Sequence, residues 1–174
     1  MTDFTLRDAV AGDAAALSLL GRQSFAAAFG HLYRPEDLAA FLDETHDPAR
    51  VAGEIADPAY IHQLAVDDAG RLMGYCKLTA DSDYASHSEA RAPMGLSQLY
   101  TDPACTGQGL GAALMDWALA TARSRGADAG QLSVWSENHG AQRFYQRHGF
   151  AKIADIDFWV GSHRDDEFLY EKRL

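Results

Sequence analysis

The pattern of hydrophobic and polar residues divides the first third of the chain into one strand and a series of helices. Residues 4–10 (FTLRDAV) have the apolar character of a first strand, and residues 11–29 carry a Leu/Phe stripe that is typical of a helix. A second helix is predicted within residues 30–46, with Pro35 in its first turn, followed by acidic residues that favour a helix N-terminus. Residues 47–58 predict one more short helix. The chain therefore begins with a strand and two or three helices.

Two strand patterns separated by a turn follow at residues 61–80. The turn, Asp67-Asp68-Ala69-Gly70, is a strong hairpin signal. Residues 79–94 are polar and rich in turn formers, and so long a loop inside a compact domain is more often functional than idle. Residues 95–101 predict a strand that ends before Pro103, because proline cannot donate a hydrogen bond to a sheet.

The rest of the chain alternates between helix and strand patterns. These predict a helix over residues 109–125, a strand over 131–135, a helix over 138–149, and two strands over 150–160 and 166–174 that pair with each other. The order predicts an α/β fold with a single domain over residues 1–174. Its parts are a strand and helical arm (1–60), a hairpin, strand, glycine-rich loop and helix (61–126), and a C-terminal part (127–174).

Composition and charge exclude several classes of protein. The 174 residues include 47% hydrophobic and 23% charged residues, which is typical of a globular protein. The net charge of −10 argues against nucleic-acid binding, which needs clustered Lys and Arg. The absence of a long apolar run argues against a membrane partner, and the N-terminus does not resemble a secretion signal. Cys76 and Cys105 suit reduced thiols in a cytoplasmic protein, and the seven histidines do not have metal-site spacing, so no metal is expected.

Three alternating glycines precede the predicted helix 109–125, in the segment TDPACTGQGLGAAL. A glycine-rich approach to a helix N-terminus lets a phosphate come close to unpaired N–H groups, so residues Thr106 to Ala112 predict an anion-binding loop. The alternative is a tight turn with close helix packing. Gly107, Gly109 and Ala112 also fit a dinucleotide fingerprint, but the preceding hairpin and the five residues after the strand count against a nicotinamide enzyme.

The segment LSVWSENHGAQRFYQRHGF supplies the second motif. It places Asn138, Ala141, Phe144, Tyr145 and a Gly-Phe pair after a strand. Together with the glycine-rich loop it resembles the Gcn5-related N-acetyltransferase (GNAT) superfamily, over nearly the whole chain. The resemblance implies a central, mixed and mostly antiparallel sheet of six to seven strands, splayed at the strand that ends near Thr101. It also implies an enzyme that uses acetyl-CoA.

The resemblance also assigns roles to residues. It implies that the cofactor is held by the strand end and the glycine-rich loop, through Leu99, Tyr100, Thr101, Thr106, Gly107, Gln108, Gly109, Leu110, Gly111, Ala112 and Asn138. Thr106 stands where the family pattern has Gln or Arg, so one side-chain contact to the pyrophosphate is lost or replaced by a hydroxyl. Tyr145 corresponds to the residue that protonates the departing thiolate, and a phenol is protonated at neutral pH. The alternative for Tyr145 is a core aromatic beside Phe144.

The general base is left open by the sequence. The strand before the glycine-rich loop contains no ionisable side chain before Tyr100, so Asp83, Glu89 or a water held by Gln98 are the alternatives. Substrate selection is expected from the arm and from the loop 79–94, through His31, Tyr33, Glu36, Asp83, Tyr84, His87, Glu89 and Gln98.

The expected reaction is acetyl transfer to a primary amine of a small molecule or peptide, by direct attack in a ternary complex. The arm and the C-terminal segment are similar to bacterial polyamine-acetylating members, which adds a polyamine as a candidate acceptor. The alternative is a non-catalytic acyl-CoA-binding sensor or interaction module on the same fold. Members of the superfamily are often dimers, so a homodimer is a further expectation.

Overall fold

The computed structural model of the chain describes residues 3–174, and these contain a seven-stranded sheet flanked by helices. The strands are β1 (Phe4–Asp8), β2 (Tyr60–Asp67), β3 (Leu72–Thr79), β4 (Pro93–Thr101), β5 (Ala129–Trp135), β6 (Ala151–Val160) and β7 (His163–Arg173). The helices are α1 (Ala14–Phe29), α2 (Pro35–Thr45), α3 (Pro48–Ala56), α4 (Leu110–Ser124) and α5 (His139–Arg147).

The strands lie in the order β1-β2-β3-β4-β5-β7-β6. Strands β4 and β5 pair in parallel, whereas the other five neighbouring pairs of the described sheet are antiparallel. This arrangement confirms the predicted α/β fold with a mixed, mostly antiparallel sheet.

The hairpin β2–β3 forms where the sequence predicts it. Gly70 has φ of +79°, and its N–H donates to the carbonyl oxygen of Asp67 at 2.8 Å. The following loop is shorter than predicted, because β4 begins at Pro93. Proline is tolerated as the first residue of a strand, where its missing N–H leaves no gap in the sheet.

Two apolar clusters hold the helices to opposite faces of the sheet. On one face, Leu17 of α1 and Val51 of α3 are buried against Leu64 and Tyr75. On the other face, Leu114 of α4 belongs to a cluster against which the aromatic side chains of α5 pack. The N-terminal arm and the helices of the two sequence motifs therefore lie on different sides of the sheet.

Strands β4 and β5 separate after a short shared segment. Their pairing is confined to residues 93–95 and 129–131, and β4 then continues to Thr101 along β3 alone. The register with β3 passes from Lys77–Gln98 to Leu78–Leu96, which leaves Ser97 without a partner. A bulge of this kind bends a strand and increases its twist. The sheet therefore opens into a V toward the carboxyl ends of β4 and β5, as the predicted splay requires.

Candidate active site

A cavity of about 490 Å³ opens where β4 and β5 separate. Its volume lies within the usual range for small-molecule sites. Both faces of the sheet contribute to its lining, because the gap between the strands connects them. The lining residues used below are Phe25, Phe29, Tyr33, Gln98, Leu99, Tyr100, Thr101, Thr106, Ser133, Trp135, Asn138, Tyr145, Phe158 and Glu167.

The end of β4 offers backbone groups to this gap. The N–H of Asp102 donates to the carbonyl oxygen of Met73 on β3, at 2.8 Å. Because bonding alternates from side to side along an antiparallel strand, Tyr100 also bonds toward β3, whereas the backbone groups of Leu99 and Thr101 face the gap. The Thr101 carbonyl oxygen accepts a hydrogen bond from the Ser24 hydroxyl at 3.2 Å, so the groups left for a ligand are the two N–H groups and the Leu99 carbonyl oxygen. That this strand end holds an extended ligand stays a prediction.

The glycine-rich loop between β4 and α4 exposes a row of backbone N–H groups. The first helical bond of α4 runs from the Ala113 N–H to the Gly109 carbonyl oxygen, at 3.0 Å, so the three amides between these residues precede it. Within residues 3–174, no side chain caps this helix N-terminus. The loop therefore fits an anionic group such as a pyrophosphate.

Two of the loop glycines are required by the backbone conformation. Gly107 and Gly109 have φ of +77° and +79°, in the left-handed region that disfavours residues with a Cβ. A Cβ at either position would meet no atom within 4 Å, so packing does not demand glycine there. Gly111 differs, because its φ is not positive and a Cβ there would make an ordinary contact with the Phe144 ring, at 3.6 Å.

The remaining residues of the loop surround this N-terminus. Thr106 is exposed, and its hydroxyl makes a long hydrogen bond of 3.5 Å to the Pro103 carbonyl, so it is free to bind a ligand at the mouth of the cavity. The side-chain oxygen of Gln108 is buried without a hydrogen-bond partner among the described residues. Leu110 is buried in the core, whereas Ala112 is exposed.

Helix α5 brings two predicted residues to the cavity. The Asn138 side chain caps the helix by accepting from the Ala141 N–H at 3.1 Å. Two residues beyond the middle of the helix, Tyr145 lies between Phe144 and Phe150, with its ring centroid 5.4 Å from that of Phe144 and 6.1 Å from that of Phe150. Burial raises the pKa of Tyr145 above its ordinary value, and the nearby Cys76 and Glu167 add to the shift. Tyr145 is therefore protonated at neutral pH, as an acid must be.

The cavity also contains a carboxylate that the sequence analysis did not select. Glu167 of β7 is 9% exposed and faces the gap beside Trp135, its partner in the register with β5. Burial raises the pKa of Glu167 from 4.5 to about 7; the neighbouring Asp165 adds to the shift, and a hydrogen bond from Ser133 opposes it. Glu167 also contributes to raising the pKa values of Tyr145 and Tyr100, which places it within electrostatic reach of both.

Glu167 was missed because its strand carries acids on both faces. Asp165, Glu167 and Glu171 share one face of β7, and Asp166 lies on the other, so alternation does not separate an inward acid from a solvated one. The sequence signal that would have found Glu167 is weak. Its burial follows from its pairing with Trp135 of β5, but the register of β7 against β5 is set by the tertiary fold.

The arm residue Tyr33 lies in the cavity wall and bonds to β7. Its hydroxyl donates to the Asp165 carboxylate at 2.5 Å, and Nε2 of His163 lies 3.0 Å from the other oxygen of that carboxylate. Burial and this bond raise the pKa of Tyr33. His31 and Glu36, by contrast, are exposed and lie outside the cavity lining.

The loop 80–92 is fastened to the sheet, but its acids point away from the cavity. The Ser82 hydroxyl donates to Oε1 of Gln131 at 2.6 Å, and Nε2 of Gln131 donates to Glu171 at 2.7 Å. Asp83 and Glu89 are exposed and outside the lining.

Two further predicted substrate residues lie nearer the cavity. Tyr84 is half-buried next to Ser133, a lining residue, but is not itself part of the lining. Burial raises the pKa of Tyr84, while a hydrogen bond with Ser133 lowers it. Gln98 lines the cavity and accepts a hydrogen bond from the Tyr75 hydroxyl at 2.8 Å.

Comparison with known proteins decides what kind of site this is. A sequence profile described as the acetyltransferase (GNAT) family matches residues 23–150. The chain belongs to this family. It is accordingly an N-acetyltransferase that uses acetyl-CoA, and this excludes a nicotinamide enzyme. The match ends before β6 and β7, so Glu167 lies outside it.

Individual relatives agree with the family match. The acetyltransferase is 34% identical to an uncharacterized N-acetyltransferase of Mycobacterium tuberculosis over 166 residues, which cover 93% of this chain and 98% of that one. It is 33% identical to an uncharacterized N-acetyltransferase of Lactobacillus delbrueckii over 158 residues, 89% of this chain and 88% of that one.

The fold is likewise shared with solved structures. The PaiA N-acetyltransferase of Thermoplasma acidophilum, in complex with coenzyme A, superposes with a TM-score of 0.80 at 20% identity, covering 99% of both chains. At this identity the likeness concerns the fold. Residues 3–174, which the structure describes, contain no helix that is long and apolar enough to cross a membrane, and no group of three or more His, Cys, Asp or Glu side chains that could hold a metal ion.

Proposed function

We propose that this acetyltransferase transfers the acetyl group of acetyl-CoA directly to a primary amine, with Glu167 as the general base and Tyr145 as the general acid. One observation carries the proposal. A buried carboxylate whose pKa is about 7 and a protonated phenol open onto the same cavity, at the gap between β4 and β5. Acid and base groups with such separated pKa values are typical of catalytic sites.

Glu167 addresses the main barrier to the reaction, which is the protonated state of the acceptor. An ordinary ammonium group has a pKa of about 10.4, so roughly one amine in 10³ is neutral at pH 7, a deficit of about 4 to 5 kcal/mol. Because the pKa of Glu167 is raised, the difference between its pKa and that of the ammonium is smaller by roughly two fifths than it is for an ordinary carboxylate. Glu167 therefore accepts a proton from the entering ammonium more readily than an ordinary carboxylate would.

The other groups act on the carbonyl oxygen and on the departing thiolate. A backbone N–H of Leu99 or Thr101 donates to the oxygen that becomes negative as the carbon–nitrogen bond forms. Tyr145 gives its proton to the sulfur as the carbon–sulfur bond breaks, and the second proton lost by the nitrogen restores the phenol. The amides of the glycine-rich loop hold the pyrophosphate, and Thr106 adds its hydroxyl. The side-chain oxygen of Asn138 caps α5, and its N–H₂ group stays available to bind the ligand.

Glu167 also weakens the case for a non-catalytic sensor. That alternative rests on Thr106 and on the lack of an ionisable side chain before Tyr100 on the strand that precedes the loop. For the second of these, β7 supplies a carboxylate to the same gap from a different strand. A polyamine acceptor, a homodimer and a cytoplasmic location stay predictions. A measurement of the molecular mass of the protein in solution tests the homodimer. The reduced state expected for a cytoplasmic protein is consistent with Cys76 and Cys105, which are both free and buried.

The experiment measures thiol release from acetyl-CoA as a function of pH, with a panel of amines and short peptides. For the natural enzyme, kcat/KM should rise as pH increases through about 7, because Glu167 must lose its proton before it can act as a base. Glu167→Gln should lower kcat about 100-fold or more and remove this limb of the profile.

A matched control makes the same change of charge on the same strand. Asp166→Asn neutralises an exposed acid next in sequence on the opposite face of β7 and should leave the profile unchanged. Binding of acetyl-CoA without turnover on any amine would contradict the enzymatic proposal. An unchanged profile in Glu167→Gln would remove Glu167 as the base.

A further inference from the structure

We infer that the acceptor is an amine with one positive charge, carried on an aromatic or bulky apolar group, and that this group binds against the aromatic wall contributed by α1, the segment between α1 and α2, β5 and β6. The inference rests on the proposed function, because it names the substrate class of the same site. We call this wall the aromatic wall; it consists of Phe25, Phe29, Tyr33, Trp135 and Phe158.

The rings of the aromatic wall form a continuous surface. Phe29 meets Trp135 edge to face with centroids 6.1 Å apart, and Phe25 lies 5.2 Å from Phe29 and 6.0 Å from Tyr33. Phe158 joins it from β6 through Phe41. Four separate elements place rings at one side of the cavity, so the wall depends on the tertiary fold and not on a local cluster.

The end of α1 leaves room in front of these rings. Phe25 and Phe29 are four residues apart and so lie on one face of the helix. The three residues between them are alanines, and two of these also line the cavity. Small side chains beside large rings make a concave apolar surface, which suits a flat or branched apolar group.

Charge in the cavity allows for a single cation. Among the described residues that line it, Glu167 is the one acid, and none is Lys, Arg or His. The neighbouring Asp165 is occupied by Tyr33 and His163. An ammonium that approaches the reacting carbon is therefore paired with Glu167, and the rest of the acceptor lies among rings.

A polyamine would place a second ammonium among those rings. An aromatic face attracts a cation, but a buried ammonium without a carboxylate partner loses more hydration than the ring returns. The exposed acids of the arm and the loop lie outside the cavity, so a chain of three or four carbons from the reacting nitrogen would have to leave the wall to reach them. The structure therefore favours an apolar monoamine over spermidine.

The test compares kcat/KM for 2-phenylethylamine, hexylamine, propylamine and spermidine, with acetyl-CoA binding measured separately by calorimetry. 2-Phenylethylamine should exceed both propylamine and spermidine by at least about tenfold, since each buried methylene is worth about fourfold. Phe29→Ala should lower kcat/KM for 2-phenylethylamine about tenfold and change that for propylamine little. Phe29→Leu should recover part of the loss, and thermal melts establish that each variant is folded.

Leu19→Ala is the matched control, because Leu19 lies on the same helix but is 56% exposed. Preference for spermidine, or equal loss of both monoamines in Phe29→Ala, would overturn the inference and leave the proposed function intact. Binding of acetyl-CoA without turnover of any of the four amines would count against the proposed function itself, and the inference would fall with it.

Discussion

At the scale of the residue, Tyr145 and Glu167 owe their chemistry to burial acting on opposite kinds of group. Removal from water disfavours the charged form of both, so the phenol keeps its proton and the carboxylate holds its proton more tightly. The same physical effect therefore suits Tyr145 to the proposed role of acid and Glu167 to the proposed role of base.

For Tyr145, we predict that Tyr145→Phe lowers kcat by about 100-fold and changes the Kd of acetyl-CoA by less than about threefold. The substitution removes the proton donor but keeps the ring that packs between Phe144 and Phe150. Tyr60→Phe is the control, because Tyr60 lies outside the cavity. Steady-state kinetics and calorimetry check both quantities, and unchanged turnover would remove Tyr145 as the acid.

At the scale of the element, the loop between β4 and α4 depends on backbone conformation. We predict that Gly109→Ala raises the KM for acetyl-CoA by roughly 5- to 30-fold, because a residue with a Cβ pays about 1–2 kcal/mol in the left-handed region. The KM for the amine should change little. Gly12→Ala is the control, since its φ is not positive and a Cβ there meets no atom within 4 Å. An unchanged KM for acetyl-CoA would show that the loop does not bind it.

Helix α1 lies so close to the sheet that one of its glycines is needed for space. A Cβ at Gly21 would lie 2.4 Å from Nδ1 of His46 and 2.8 Å from the Tyr75 hydroxyl. We predict that Gly21→Ala lowers the free energy of unfolding by about 1–3 kcal/mol.

Gly53 is the matched control for Gly21, because it lies in α3 with open space around a Cβ. Gly53→Ala should raise the free energy of unfolding by about 0.5–1 kcal/mol. Urea unfolding measures both variants. Equal effects of the two substitutions would mean that α1 does not pack as closely as the structure has it.

At the scale of the whole molecule, the burial of Glu167 lowers the free energy of unfolding at neutral and alkaline pH. Its pKa is about 7 in the folded protein and about 4.5 when unfolded, so the folded state binds more protons between these values. Its contribution to the free energy of unfolding therefore falls as pH rises from about 4.5 to 7. His46 and His62, whose pKa values burial lowers to about 4, change stability in the opposite direction over part of this range.

We predict that Glu167→Gln is more stable than the natural protein at pH 8, by up to about 3 kcal/mol. The difference should shrink toward zero below pH 4.5, where Glu167 is protonated in both states. The contributions of His46 and His62 cancel in this difference. Chemical denaturation of both proteins across this pH range measures it, and a difference that does not vary with pH would contradict the raised pKa of Glu167.

Much of the fold was predictable because its signals are local. The turn at Gly70, the glycines before α4 and the two prolines that begin α2 and α3 act on the residues beside them, and their elements form within a few residues of the predicted bounds. The start of β4 was predicted two residues late, because Pro93 and Met94 were assigned to the polar, turn-rich segment 79–94. The positions of Leu99 and Thr101 at the carboxyl end of β4 were predictable because they belong to a strand with a clear local pattern, and their binding role stays a prediction.

The sequence by itself determined the order of the elements, the glycine-rich loop, the motif around Tyr145 and, through them, the family. Only the tertiary structure decided that Glu167 faces the same cavity and that α1 places Phe29 against Trp135. The physical reason is distance along the chain. Tyr33 and Asp165 are 132 residues apart and yet share a hydrogen bond, and such contacts follow from sheet register and helix packing, which no local pattern specifies.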